Sequence, residues 1–281
     1  MKNTDFQSTE FLEKEKLFLE KHNLVKIIPN EKILIDYVPY ATEDNFCHQQ
    51  LYSHPFIYAH QDAFENLQKA SNLAEEKGLK LRIWDAYRPF EVQAFMADKF
   101  PEHVEKGYVS HPSEGVATHV RGIAIDLTLV DKNGKELDMG TGFDDMSEQS
   151  HHGQENNKEA EKNRKILAEI MQKSGFQIYE NEWWHYNLKI FKFDEKGEII
   201  GAESVADKKY PKIPEGEFID LLALAVKKKF LEEFLKEKKF DEKEKKEISD
   251  RIGLFIDNPR SQIQTKEESQ LTKLFEQKCR T

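Results

Sequence analysis

GIAIDLTLV, residues 122–130, is the stretch on which the fold turns. Ile123, Ile125, Leu127 and Leu129 alternate with Ala124, Asp126 and Thr128, the period of two that a pleated strand imposes. One face is therefore apolar, and the other carries Asp126. Upstream, residues 107–118 are rich in Ser, His, Pro and Gly and read as a loop that delivers His119 into the strand. Before it lie a helix over 90–100, a strand over 79–84, and a helix over 60–78 closed by Gly78. Short alternations such as Ile33, Ile35 and Tyr37 predict strand within 24–40, polar loop runs to about residue 51, and charges interleaved with Phe11, Leu12 and Phe18 predict an opening helix over 6–21. Downstream, Asn133-Gly134 marks a turn, residues 157–174 a helix ending at Gly175, and residues 176–179 and 183–193 a strand pair.

These elements predict an α+β domain over residues 1–205, with a small central antiparallel sheet and flanking helices. Beyond it, Leu222, Val226, Phe230 and Phe234 recur at fourfold spacing amid Lys and Glu, and weaker patterns follow over 243–255 and 267–278. Residues 206–281 are read as a charged helical extension whose apolar stripe offers a seam for a homo-oligomer or a protein partner, with Pro211 and Pro214 in the linker. The Lys-rich run 236–246 alternates with acidic residues and reads as a solvated face.

A net charge of -10 with no compensating basic stripe in the domain argues against a nucleic-acid partner. Two cysteines far apart, Cys47 and Cys279, argue against a disulfide-stapled secreted scaffold. The charged first twenty residues offer neither a signal core nor a membrane span, so the expected location is cytoplasmic, or periplasmic if a leader has been removed.

Two clusters carry candidate chemistry. His119 and Asp126 form the first, and Glu182-Trp183-Trp184-His185 supplies another imidazole with a carboxylate three residues before it. Imidazole and carboxylate donors suit zinc, and three protein ligands leave a position open. Such a metal acidifies water, and a nearby Glu can take the proton as the water attacks a carbonyl. Spacing alone does not separate this reading from a structural His and Asp in a strand. Residues three apart on a regular strand also face opposite sides, so Glu182 and His185 can address one metal only if the chain bends near 179–181.

The segments match HxxGxAxD at 119–126 and ExWH at 182–185, and so resemble the zinc D,D-peptidases that share a fold with hedgehog signalling domains. WDAYRP at 84–89, GIAIDLTL at 122–129, LDMGTGFD at 137–144 and EWWHY at 182–186 narrow the resemblance to D-alanyl-D-alanine dipeptidases of the vancomycin-resistance type. The likeness runs from about residue 33 to 193. It implies one zinc per chain held by His119, Asp126 and His185, Glu182 as catalytic base, Arg88 steadying the substrate carbonyl and developing oxyanion, and free D-Ala-D-Ala as substrate. Trp183, Trp184 and Tyr186 are expected to wall the pocket, and Asp144 to hold the substrate ammonium. One departure stands at Ala117, where the family carries a serine that helps hold substrate; Thr118 is its nearest hydroxyl. His151, His152 and the Cys47-His48 pair read as loop and structural residues. The rival readings are a D,D-carboxypeptidase or L,D-endopeptidase acting on longer peptidoglycan peptides, and a zinc-bearing module without hydrolysis, against which the presence of Glu182 argues.

Overall fold

In the computed structural model, residues 8–154, 157–190, 192–193, 199–200 and 202–214 are described. All of the described residues lie within one compact unit, residues 1–219. The helices expected over 218–240, 243–255 and 267–278, with their apolar stripe, lie outside the described residues.

The chain opens with α1 (Thr9–His22), capped by the Ser8 hydroxyl accepting from the Phe11 N–H. Asn23, in the left-handed conformation, ends it and leads into β1 (Leu24–Lys26). β2 (Ile33–Leu34) follows, then β3 (Tyr58–His60) and α2 (Gln61–Glu76). β4 (Lys80–Asp85), α3 (Phe90–Lys99), α4 (Pro101–Glu105) and β5 (Ala124–Val130) come next. The unit is completed by α5 (Lys158–Lys173), β6 (Phe176–Tyr179), β7 (Glu182–Leu188), β8 (Lys192–Phe193), β9 (Ile199–Ile200) and α6 (Ala202–Lys209).

Five strands form the central sheet in the order β2-β4-β5-β7-β6. All neighbours are antiparallel except the edge pair β2 and β4, which runs parallel. The predicted strand over 24–40 is broken into β1 and the two-residue β2, and Tyr37 lies at the surface donating to Asp44. An edge strand has one neighbour to hold it, so apolar alternation there does not extend the ladder. β1 pairs with β3 in a separate two-stranded sheet.

Every residue of β5 is buried. This follows from its central position, because a strand covered on both sides has no solvated face. Ile125 pairs with Tyr186 and Leu127 with Ile83 on the apolar face. On the opposite face, register sets Asp85 of β4 against Asp126 of β5, and Asp126 against His185 of β7. In-register neighbours project to the same side, so three polar residues stand in one row across three strands.

The domain boundary expected after residue 205 falls inside α6. Ala206, Tyr210 and Ile213 are buried, and Ile213 packs with Phe18, Leu24, Tyr58 and Tyr87. The apolar positions of this short segment sit among polar ones, which is why it read as linker. Among the described residues, no helix is long and apolar enough to cross a membrane.

Candidate metal centre

His119 arrives on a one-turn 3-10 helix, His119–Arg121, between two left-handed positions, Ala117 at φ 44° and Gly122 at φ 68°. Only glycine suits the second, since a Cβ there would lie 2.8 Å from Leu24 Cδ2 and 2.9 Å from the His60 backbone nitrogen. This tight crossing lets the chain turn straight into β5. The His119 ring then has Nδ1 2.7 Å from the Ala86 carbonyl oxygen. A carbonyl can only accept, so Nδ1 carries the hydrogen and Nε2 turns a lone pair inward.

His185 uses its other nitrogen. Its Nε2 lies 2.9 Å from Asn187 Oδ1, while Nδ1 lies 3.0 Å from Asp126 Oδ1 and 3.1 Å from His119 Nε2. His119 Nε2 is also 3.3 Å from Asp126 Oδ2. One ligand atom from each of His119, Asp126 and His185 lies within 4.8 Å of the other two, and all three residues are buried. Two imidazole nitrogens and a carboxylate oxygen facing one point fit a divalent ion of zinc's preferences. Burial opposes the charge on Asp126, but the imidazoles of His119 and His185 outweigh it and hold the carboxyl well below the usual range.

The bend required near Glu182 is present. β6 and β7 pair Ile178 with Tyr186 but Tyr179 with Glu182 across the turn at Glu180 and Asn181, a slip that leaves Trp183, Trp184 and His185 without partners in β6. Glu182 therefore joins His185 on the cavity, with Oε2 3.7 Å from His185 Nδ1. Burial pushes its pKa up to about 8; Asp126 and Asp144 push the same way, and His185 and Arg88 oppose.

Arg88 is enclosed. Its Nε donates to Asp85 Oδ2 at 2.9 Å, one terminal nitrogen reaches Gln93 Oε1 at 3.0 Å, and the other reaches Asp126 Oδ2 at 3.5 Å. Asp85 in turn accepts from the Tyr52 hydroxyl at 2.8 Å. Asp144, at φ 60°, accepts from the Tyr40 hydroxyl at 3.0 Å. Its other oxygen is buried without a partner, and burial pushes the carboxyl up to about 7.

Apart from Asp85 and Tyr52, which stand behind Arg88, these groups line a cavity of about 210 Å³ that also takes in Trp184, Asn187, Tyr108 and residues 116–118. Trp183 and Tyr186, expected on its wall, are absent from it. Trp183 is fully buried with its indole N–H donating to Thr141 Oγ1 at 2.8 Å, and Arg164 of α5 lies 5.7 Å over its ring. Tyr186 pairs with Ile125 on the apolar face of the sheet. The slip at the head of β7 breaks the alternation at Trp183, while Tyr186 faces away by ordinary alternation between His185 and Asn187. His151 contacts the Tyr108 hydroxyl from outside the ligand cluster, and buried Cys47 has its thiol pushed up to about 12 by burial. Asp85, Tyr40, Tyr52, Gln93 and Asn187 were not singled out from sequence. Asp85 stands inside the WDAYRP stretch and could have been found there, as could Asn187, two residues after His185 on one strand face; Tyr40, Tyr52 and Gln93 carry no local signal.

The family model described as D-Ala-D-Ala dipeptidase, of the peptidase M15 group, matches residues 19–196. The chain belongs to the D-Ala-D-Ala dipeptidase family. Among its relatives, the D-alanyl-D-alanine dipeptidase of Escherichia coli is 39% identical, the match covering 59% of this chain and 83% of that one. That of Enterococcus faecium is also 39% identical, over 53% of this chain and 83% of its own. The Streptomyces coelicolor dipeptidase is 36% identical over the same shares, 53% and 83%. Family membership makes this chain a peptidase of the M15 group.

Proposed function

We propose that this chain hydrolyses the free dipeptide D-Ala-D-Ala with one zinc ion held by His119, Asp126 and His185. The observation that carries the reading is the convergence of those three ligand atoms within 4.8 Å, beside a buried Glu182 on the same cavity. When bound, zinc supplies Lewis acidity, drawing electron density from water and from the scissile carbonyl.

The protein's own groups do the rest. Glu182, as the carboxylate, takes a proton from the attacking water and returns it to the leaving amine, and burial raises its affinity for that proton. Arg88, fixed by Asp85 and Gln93, aims a permanent positive charge at the edge of Asp126 and serves the oxygen on which negative charge grows. Asp144 has one carboxylate oxygen free of partners, which suits the substrate's ammonium. Trp184 contributes an apolar wall that limits water. At about 210 Å³ the cavity is nearer the size of a dipeptide than of a longer peptide. Ala117 lines it with a methyl group, so the hydroxyl next to the histidine motif is that of Thr118.

The test compares free D-Ala-D-Ala with a pentapeptide ending in D-Ala-D-Ala, alongside zinc quantification. Zinc-dependent cleavage of the dipeptide, at least tenfold preferred by kcat/KM, is expected. Cleavage of the pentapeptide alone would move the assignment to a carboxypeptidase. No turnover of either at full zinc occupancy, in wild type and Glu182→Ala alike, would leave a binding module.

A further inference from the structure

Residues 202–214 lie beyond the family's matched region, yet they are tied to the loop that carries His119. Arg121 is the junction. Its side chain has 0% exposure, and each of its three nitrogens has a separate partner. Nε donates to the Val116 carbonyl, one terminal nitrogen to the Tyr210 carbonyl at 2.7 Å, and the other to Asp207 Oδ1 at 2.6 Å. The Ile213 N–H donates to the Val120 carbonyl at 3.0 Å, and Lys212 Nζ to the Glu114 carbonyl at 3.3 Å.

The segment has its own anchorage. Lys209 Nζ and the Tyr210 hydroxyl reach Asp62 Oδ2 in the first turn of α2, at 2.7 and 2.8 Å. Ile213 is seated in the cluster of Phe18, Leu24, Tyr58 and Tyr87. The loop, by contrast, contains a conformation that must be imposed. Ala117 is left-handed, which for a residue with a Cβ is unfavourable by roughly 1–2 kcal/mol, and such positions persist only where surrounding structure over-determines them. The carbonyl that Arg121 grips belongs to Val116, immediately before Ala117, and residues 116–119 form one wall of the cavity.

We infer that residues 202–214 are a positioning strap for His119 and for the cavity wall at 116–118, with the Arg121–Asp207 pair as its clasp. The inference rests on the zinc reading of residues 119, 126 and 185 and deepens it. Asp207 is the informative position, because its side chain is 63% exposed and makes little core packing while its partner is wholly enclosed. Without that carboxylate, Arg121 retains backbone carbonyls but loses its counter-charge, and the grip on Val116 loosens.

The experiment uses the full chain as wild type, Asp207→Ala and the isosteric Asp207→Asn. Zinc affinity is measured by chelator competition, backbone opening over 114–122 by hydrogen exchange, and turnover on D-Ala-D-Ala as kcat and KM. Asp207→Ala should weaken zinc on the order of tenfold, as loss of outer support for a ligand does. Exchange over 114–122 should quicken by a similar factor while the thermal midpoint shifts by only about 2–3 °C, and Asp207→Asn should fall between. Unchanged zinc affinity, or faster exchange confined to 202–214, would overturn the strap. If Asp207→Ala fails to fold, the same two readouts on Asp207→Asn decide. Wild type that binds zinc but leaves D-Ala-D-Ala intact would remove the dipeptidase reading alone, since exchange and metal affinity need no substrate.

Discussion

The two halves of the metal centre are built by different means. Asp126 and His185 stand opposite each other on β5 and β7, so the hydrogen-bonded ladder sets their relation. His119 comes from a short irregular turn bounded by Ala117 and Gly122, held by the Arg88 backbone N–H on its carbonyl, the Ala86 carbonyl on its ring and the Arg121 side chain on Val116. A ladder is cooperative and tolerates change at one position, whereas a turn built on left-handed residues depends on each support. The ladder half should therefore yield to changes of chemistry, and the turn half to changes of shape.

The largest effect belongs to chemistry at the ladder. Glu182→Gln keeps the shape and removes the base, so kcat should fall by about 10³-fold or more with zinc content unchanged. Steady-state kinetics with metal analysis checks this, and loss of zinc in parallel would assign Glu182 to the ligand set. Gly122→Ala probes shape in the turn half. A Cβ meeting the His60 nitrogen at 2.9 Å, on a residue at φ 68°, should destabilise the chain by roughly 2–4 kcal/mol, read by denaturant unfolding. A change under about 0.5 kcal/mol would mean that the turn adapts freely and that the contrast between the halves is weaker than drawn.

Asn187 sharpens the ladder side. Its Oδ1 accepts from His185 Nε2–H and so keeps Nδ1 turned to the cluster. Asn187→Leu should weaken zinc by about tenfold without loss of fold, measured by chelator competition.

Asp144 gives the clearest sign. Its pKa is raised from 3.8 to about 7, so between those values the folded chain holds a proton that the unfolded chain has released, and stability falls as pH rises through that window. Asp144→Asn removes the penalty. Zinc-free protein at pH 8 should gain on the order of 2 kcal/mol, the gain vanishing near pH 4, while KM for the dipeptide rises about tenfold for want of an ammonium partner. Equal stability of the two proteins across pH 4–8 would contradict the buried-carboxyl reading.

What the sequence discloses follows the same division. Alternation over residues 122–130 located β5 and set Asp126 on the face opposite the apolar one, and the stops at Gly78 and Gly175 bracketed the ends of α2 and α5 closely. These are local periodicities, and tertiary structure had no reason to override them. The assignment of Trp183 to the cavity wall failed because a register slip is decided by pairing with β6, which no spacing within β7 records, whereas Tyr186 is turned away by the ordinary alternation between His185 and Asn187. Tyr40 escaped notice because a positioning contact to Asp144, far along the chain, leaves no local pattern. The boundary after residue 205 failed similarly, since Tyr210 and Ile213 find their partners in α1, α2 and β3.

The most direct test of the metal centre is zinc K-edge X-ray absorption on the purified full chain, with His185→Ala for comparison. The account predicts one zinc per chain with two imidazole nitrogens and oxygen scatterers at about 2.0–2.2 Å, and one imidazole fewer, or no zinc, in the variant. Sulfur in the first shell, or a wild-type spectrum unaltered by His185→Ala, would contradict it.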